Sequence, residues 1–286
     1  MGIGEVKLHT LENGDGVPVM DIAAKHTPEK GVIVVHTSME TPLDPNQLYQ
    51  LATIAGTNPE YRVIGFGNPS GDRYYFKAQE LSFLKRLRVA LFKDMRPIIA
   101  PELDYLKQNG ISEWYQIGYS YGALKATTES EYMERGSLKG LLLVDPVARP
   151  RNLIKLMRDF SKTYGPLGKY VNSTNLETYH KARGDAALNR NHNKALLRPI
   201  NVTIAVALSR IAVLKRLKRV MTRQPQMKTM VAWGTASEIG DDAYMQKKLD
   251  ALSAHGRIER VRLEGLEHAF ANDVHLHAAI IKQFLA

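Results

Sequence analysis

The stretch Trp114-Tyr115-Gln116-Ile117-Gly118-Tyr119-Ser120-Tyr121-Gly122-Ala123-Leu124-Lys125-Ala126 begins as an apolar run of strand length, passes through a serine set between two glycines, and continues as a helix former. A Gly-x-Ser-x-Gly pattern alone is a weak signal, because both residue types are common. Its setting carries the weight. A strand that runs straight into a helix needs a sharp turn, and glycines leave room where the backbone folds back. A serine at the apex is held in a strained conformation with its hydroxyl exposed, beside the N-terminal amides and positive dipole end of the helix. Ser120 is therefore a candidate nucleophile; the plainer reading is a serine that only caps the helix.

Outward from this turn, short apolar runs alternate with helix-periodic segments, which predicts β-α units around a largely parallel sheet. Eight strands are expected: Val6 to Leu11, Val17 to Ala23, Val32 to His36, Arg62 to Phe66, Trp114 to Gly118, Gly140 to Val144, Thr229 to Trp233 and Ile258 to Leu263. The first two are joined only by a short Asn13-Gly14-Asp15-Gly16 connection and should pair as an antiparallel hairpin. Helices fit Pro45 to Gly56, Ala78 to Asn109, Tyr121 to Arg135, Asp241 to His255 and Asn272 to Leu285, with Asn109-Gly110 as a stop signal for the second. The alternation lapses from 147 to 227. That segment reads as a helical cap inserted in a core domain made of 1–146 and 228–286.

A serine hydroxyl is a poor nucleophile until a base takes its proton, so a histidine is expected after the last strand. The run Glu264-Gly265-Leu266-Glu267-His268-Ala269-Phe270 supplies His268 there, ahead of an amphipathic C-terminal helix.

With these residues in place the chain resembles the α/β-hydrolase family over most of its length. Val32 to His36 ends where that family has its oxyanion loop, and Gly65-Phe66-Gly67-Asn68-Pro69-Ser70-Gly71 is similar to its glycine-rich loop. The resemblance implies a mostly parallel eight-stranded sheet with flanking helices, and a catalytic pair of Ser120 and His268. It also implies an oxyanion hole from the backbone amides of Tyr121 and Ser38. At Ser38 the pattern departs, because His36-Thr37 stands where the family commonly has His-Gly.

The third member of a triad orients the histidine and stabilises its cation. The family usually has an Asp three residues beyond the glycine that ends the seventh strand; counted from Gly234 that position is Ser237. Glu238 is next in line and long enough to reach. Asp241 and Asp242 follow, as alternatives or as first-turn residues that favour the helix dipole. Asp145, at the end of the sixth strand, is the other alternative.

The implied activity is hydrolysis of a small-molecule carboxylic ester or thioester through an acyl-serine, with no cofactor. Tyr164, Tyr170, Tyr179, Met157 and Leu167 in the cap suggest a partly apolar pocket. The serine at 237 keeps open a ligand-binding protein without turnover on the same fold.

There is no cysteine, which excludes disulfides and thiolate chemistry. The N-terminal Met-Gly-Ile-Gly-Glu-Val has no signal-like pattern, and the apolar stretch Ile200 to Leu214 is interrupted by Ser209 and Arg210. A cytoplasmic protein with no transmembrane segment is expected, at most peripheral to a membrane. The net charge of +10 attracts anionic partners. An anionic surface or lipid is one candidate; nucleic acid has no zinc-finger spacing, RNP-like motif or P-loop in its favour. Leu84 to Lys93 and Ile211 to Val220 are basic and apolar together, as membrane-surface helices are. The simpler expectation is that both cover the sheet with their charges in water. His275 and His277 face different directions in a helix, with no third ligand apparent, so no metal site is expected.

Overall fold

Continuous runs such as Val32-Ile33-Val34-Val35 are what a strand needs when both faces of its sheet are covered. The computed structural model describes residues 4–10, 17–36, 45–67, 81–156, 158–159 and 199–286. Among them are β1 (Val6–Thr10), β2 (Pro18–Ile22), β3 (Gly31–His36), β4 (Tyr61–Phe66), β5 (Trp114–Tyr119), β6 (Leu138–Val144), β7 (Lys228–Gly234) and β8 (Ile258–Leu263). They form one sheet in the order β1-β2-β4-β3-β5-β6-β7-β8. β2 runs antiparallel to β1 and β4, and the other neighbours are parallel. The expected hairpin is therefore present; its connecting residues lie outside the described ones.

Among the helices of the described residues are α1 (Pro45–Thr57), α2 (Phe83–Phe92), α3 (Arg96–Gln108), α4 (Tyr121–Tyr132), α5 (Pro199–Arg210), α6 (Val213–Arg223), α7 (Asp242–Leu252) and α8 (Val274–Leu285). Strand alternation divides the core between two faces. Ile33 and Val35 meet Leu51 and Ile54 of α1 and Ile281 and Phe284 of α8. Val32 and Val34 share the opposite cluster with Ile98 of α3, Leu124 of α4, Leu217 of α6 and Leu249 of α7. The result is a sheet between two helical layers, the α/β-hydrolase fold. Of the segment read as a cap, residues 160–198, with Tyr164, Tyr170, Tyr179 and Leu167, lie outside the described residues, as does Met157. Its last two helices, α5 and α6, pack into the core.

One expected helix is two. The segment read as a helix from Ala78 to Asn109 breaks at Lys93, whose φ of 59° is left-handed. Pro97 explains the break: it has no N–H to return to the Lys93 carbonyl, and its ring would clash there. Asp94 instead caps the new start, accepting from Arg96 N at 3.1 Å. α3 does end at Asn109-Gly110, with Gly110 at a φ of 69°. His275 is exposed, whereas His277, two residues on, is buried and bonded to Gln50. Burial lowers its pKa to about 4. Among the described residues no helix is long and apolar enough to cross a membrane.

α8 closes one face chiefly through Phe284, fully buried and edge-on to Tyr115 at 5.9 Å. Phe284→Ala should cost about 3–5 kcal/mol. Urea denaturation would show a lower midpoint at an unchanged slope.

Candidate active site

β5 and α4 meet at a turn that only glycine permits at position 118. A Cβ there would stand 2.5 Å from Gly122 O and 2.7 Å from the Ala123 Cα, both backbone atoms of the incoming helix. Between them Ser120 adopts φ 55° and ψ −115°, a strained conformation for a residue with a side chain. Its amide donates to Val144 O at 2.9 Å, which ties the turn to the end of β6.

His268 comes from the other end of the sheet. After β8 the chain turns at Gly265 (φ 69°), and His268 begins a short 3-10 helix, His268–Asn272. The returning loop passes so close to β7 that a Cβ on Gly234 would lie 2.1 Å from Leu266 O. Ala236 N donates to that same oxygen at 3.1 Å. Tyr119 completes the support: its ring stacks on His268 at 5.3 Å and its hydroxyl donates to His268 O at 3.1 Å.

These connections bring His268 Nε2 to 2.9 Å from Ser120 Oγ. On the other side of the ring, Nδ1 is hydrogen-bonded to Asp145 Oδ2. All three side chains are buried. Asp145, not Glu238, is the carboxylate set against the histidine. Asp145 follows β6 with a left-handed φ of 41°, and its Oδ1 accepts from Gly234 N at 3.2 Å. Ser237, which stands where the family resemblance led one to expect the acid, donates its hydroxyl to Asp145 Oδ2 at 2.5 Å.

The other carboxylates have different work. Glu238 is exposed in the turn after β7. Asp241 caps α7, accepting from Tyr244 N at 3.3 Å, and pairs with Arg149. Asp242 accepts from Trp233 Nε1 at 2.8 Å and pairs with Arg262, whose hydrogen bonds hold its carboxyl well below the usual range. Tyr121 contributes the first amide of α4, one of the N–H groups that a helix leaves without an internal partner. Ser38 lies outside the described residues.

No family model matches the chain, and no curated protein is similar to it in sequence. Solved structures are similar in fold. A thioesterase domain from the curacin biosynthetic pathway matches with a TM-score of 0.63 at 17% identity, over 99% of this chain and 100% of that one. An α/β-hydrolase enzyme from a Medee basin deep-sea metagenome library matches at 0.62 and 13% identity, over 98% and 97%. An esterase of Pyrococcus furiosus matches at 0.61 and 14% identity, over 99% and 90%. The chain is an α/β-hydrolase-fold protein.

Beneath the nucleophile turn lies a second polar group that the sequence did not announce. His36, Glu102, Gln116, Lys125 and Glu129 are all fully or almost fully buried. His36 Nε2 lies 2.7 Å from Glu129 Oε2, and Lys125 Nζ lies 2.5 Å from Glu102 Oε1 and donates to Gly67 O at 2.9 Å. Among the described residues, His36, Glu102 and Glu129 alone have donor atoms grouped as a metal would need, within 4.8 Å of one another. Here the Lys125 ammonium supplies the positive charge, and a neutral histidine fits the rest: burial holds the pKa of His36 down at about 3. Burial also pushes Glu102 up to about 7 and Glu129 up to about 8.

The last of these shifts makes stability depend on pH. Glu129 ionises near its ordinary 4.5 in the unfolded chain but near 8 in the fold. Folding therefore takes up a proton between those values, and the stabilisation present below 4.5 is lost as pH rises through about 8. Between about pH 6 and 8 the native protein should lose stability relative to Glu129→Gln, the titration of Glu102 being common to both proteins. The limiting slope is about 1.4 kcal/mol per pH unit. Chemical denaturation of both proteins across pH 6 to 9 would measure it, and parallel curves would refute it.

Proposed function

We propose that this protein is a serine hydrolase that cleaves a carboxylic ester or thioester through an acyl-serine intermediate. The observation that carries the reading is the unbroken chain of contacts from Ser120 Oγ through both nitrogens of His268 to Asp145. The fold shared with esterases and a thioesterase agrees with it.

In this mechanism Ser120 Oγ attacks the substrate carbonyl carbon while its proton passes to His268 Nε2. The oxygen of the tetrahedral intermediate becomes negative, and the Tyr121 amide, beside the serine at the positive end of α4, is the donor for it. The Ser38 amide is the second donor that the family resemblance implies. Asp145 accepts from Nδ1, selects the tautomer that leaves Nε2 free, and faces the imidazolium that forms. Collapse breaks the bond to the alkoxide or thiolate, which leaves with the proton from Nε2. Water, deprotonated by the same nitrogen, then releases the acid and restores Ser120. The non-catalytic binding reading rested on the serine at 237; the contact of Asp145 with His268 supports turnover over it.

A fluorophosphonate probe should label the native protein, and Ser120→Ala and His268→Ala should each abolish labelling. A folded native protein that stays unlabelled would overturn the reading. The acid is tested separately. Asp145→Asn should lower kcat on an activated ester by about 10³–10⁴-fold, while Glu238→Gln should leave it unchanged. The reverse pattern would return the role to Glu238.

A further inference from the structure

α2 wears its apolar side outward. Phe83, Leu84, Leu91 and Phe92 are 68, 70, 49 and 73% exposed, while Val89 is the residue the helix buries. Phe83, Leu84, half-buried Leu87 and Leu91 form one stripe within about 100° of the helix surface, and Phe92 stands at its C-terminal end, about 80° further round. A helix that covers a sheet turns such a stripe inward. α6, with a similar composition, does so: Val213, Leu214, Leu217, Val220 and Met221 are buried while Lys215, Lys218 and Arg219 face water. The expectation of a sheet-covering helix therefore holds for α6 and fails for α2.

The outward stripe is held in place. Arg210 Nη1 donates to Ala90 O at 3.0 Å and Leu91 O at 3.1 Å, and Arg216 Nη2 donates to Lys93 O at 3.3 Å, so α2 is fastened at its C-terminal end to α5 and α6. Charge surrounds it. Residues 83–96 carry five basic side chains and one acid, Asp94, already paired with Arg88 and Arg96; residues 213–223 carry five basic side chains and no acid.

The combination selects among occupants. An acidic protein or a nucleic acid would satisfy the charges and leave two phenylalanines and two leucines in water. A second copy of this chain would set two basic faces against each other. An anionic lipid surface meets both demands, because apolar side chains enter the acyl boundary while Lys and Arg remain among headgroup phosphates. We propose that α2, with the basic face of α6 beside it, docks this protein on anionic membranes. The docking does not depend on chemistry at Ser120.

The test is co-sedimentation of the full chain with vesicles of phosphatidylcholine alone and of phosphatidylcholine with phosphatidylserine, at low and moderate salt. The native protein should bind the anionic vesicles, release as salt rises, and bind the neutral ones weakly. A Phe83→Ser, Phe92→Ser double variant should lose about tenfold or more in partitioning with Tm unchanged, and Ser120→Ala should bind as the native protein does. Native protein that stays in the supernatant, or a double variant that binds normally, would overturn the proposal. A fall in Tm would mean that the stripe packs inside the protein, and a dimer that the double variant dissolves would mean that it packs on a second copy; either outcome also rejects membrane docking.

Discussion

The first turn of α4 lies against the end of β5 so closely that position 118 has no room for a side chain, and the rest of the site follows from that contact. It forces Ser120 into a left-handed φ and places the amide of Tyr121 beside the serine oxygen. It also sends the Ser120 amide to Val144 O, so the residue after β6, Asp145, starts next to the turn. The Asp145 amide in turn donates to Ala232 O of β7 at 2.7 Å, and the loop after β7 is laced to the one carrying His268 through Leu266 O. Backbone hydrogen bonds between successive strand ends thus hold three residues from distant parts of the chain in one line.

The same lacing accounts for the carboxylate that meets His268. β6 and β7 are parallel neighbours, with Val144 paired to Ala232, so a carboxylate leaving either strand end can approach the same histidine. This chain takes it from β6 and uses the β7 side to supply donors, the Gly234 amide and the Ser237 hydroxyl. Close packing enforces the arrangement: a Cβ on Gly240 would come within 3.0 Å of Asp145 Oδ1.

α4 shows how a polar sequence can be buried. From Tyr121 to Ser130 every residue is buried, although Lys125, Thr127, Thr128, Glu129 and Ser130 lie within it. The hydroxyls are satisfied locally, with Thr127 on Ala123 O, Thr128 on Leu124 O and Ser130 on Ala126 O, at 2.7 to 2.8 Å. The two ionisable side chains reach across instead, Lys125 to α3 and to the end of β4, Glu129 to His36 at the end of β3. Ionisable groups buried in this way are costly unless they are paired or held neutral. Their placement braces the strand that precedes the expected oxyanion loop against the helix that follows the nucleophile.

What the sequence determined by itself was local. The short continuous apolar runs define the strands, the glycines around Ser120 define a sharp turn, and a histidine after the last strand is carried by the chain's own order of elements. The break between α2 and α3 falls where Pro97 stands in the sequence. Only the tertiary structure brings Asp145, rather than Glu238, Asp241 or Asp242, against His268, because each stands at the end of a strand or the start of a helix and spacing along the chain does not say which strand ends are neighbours. The facing of α2 was undecidable for a related reason. Periodicity reveals that a helix has an apolar side, as it does equally for α2 and α6, but whether that side meets a sheet or the solvent depends on what packs beside it, and that is a property of the fold rather than of the helix.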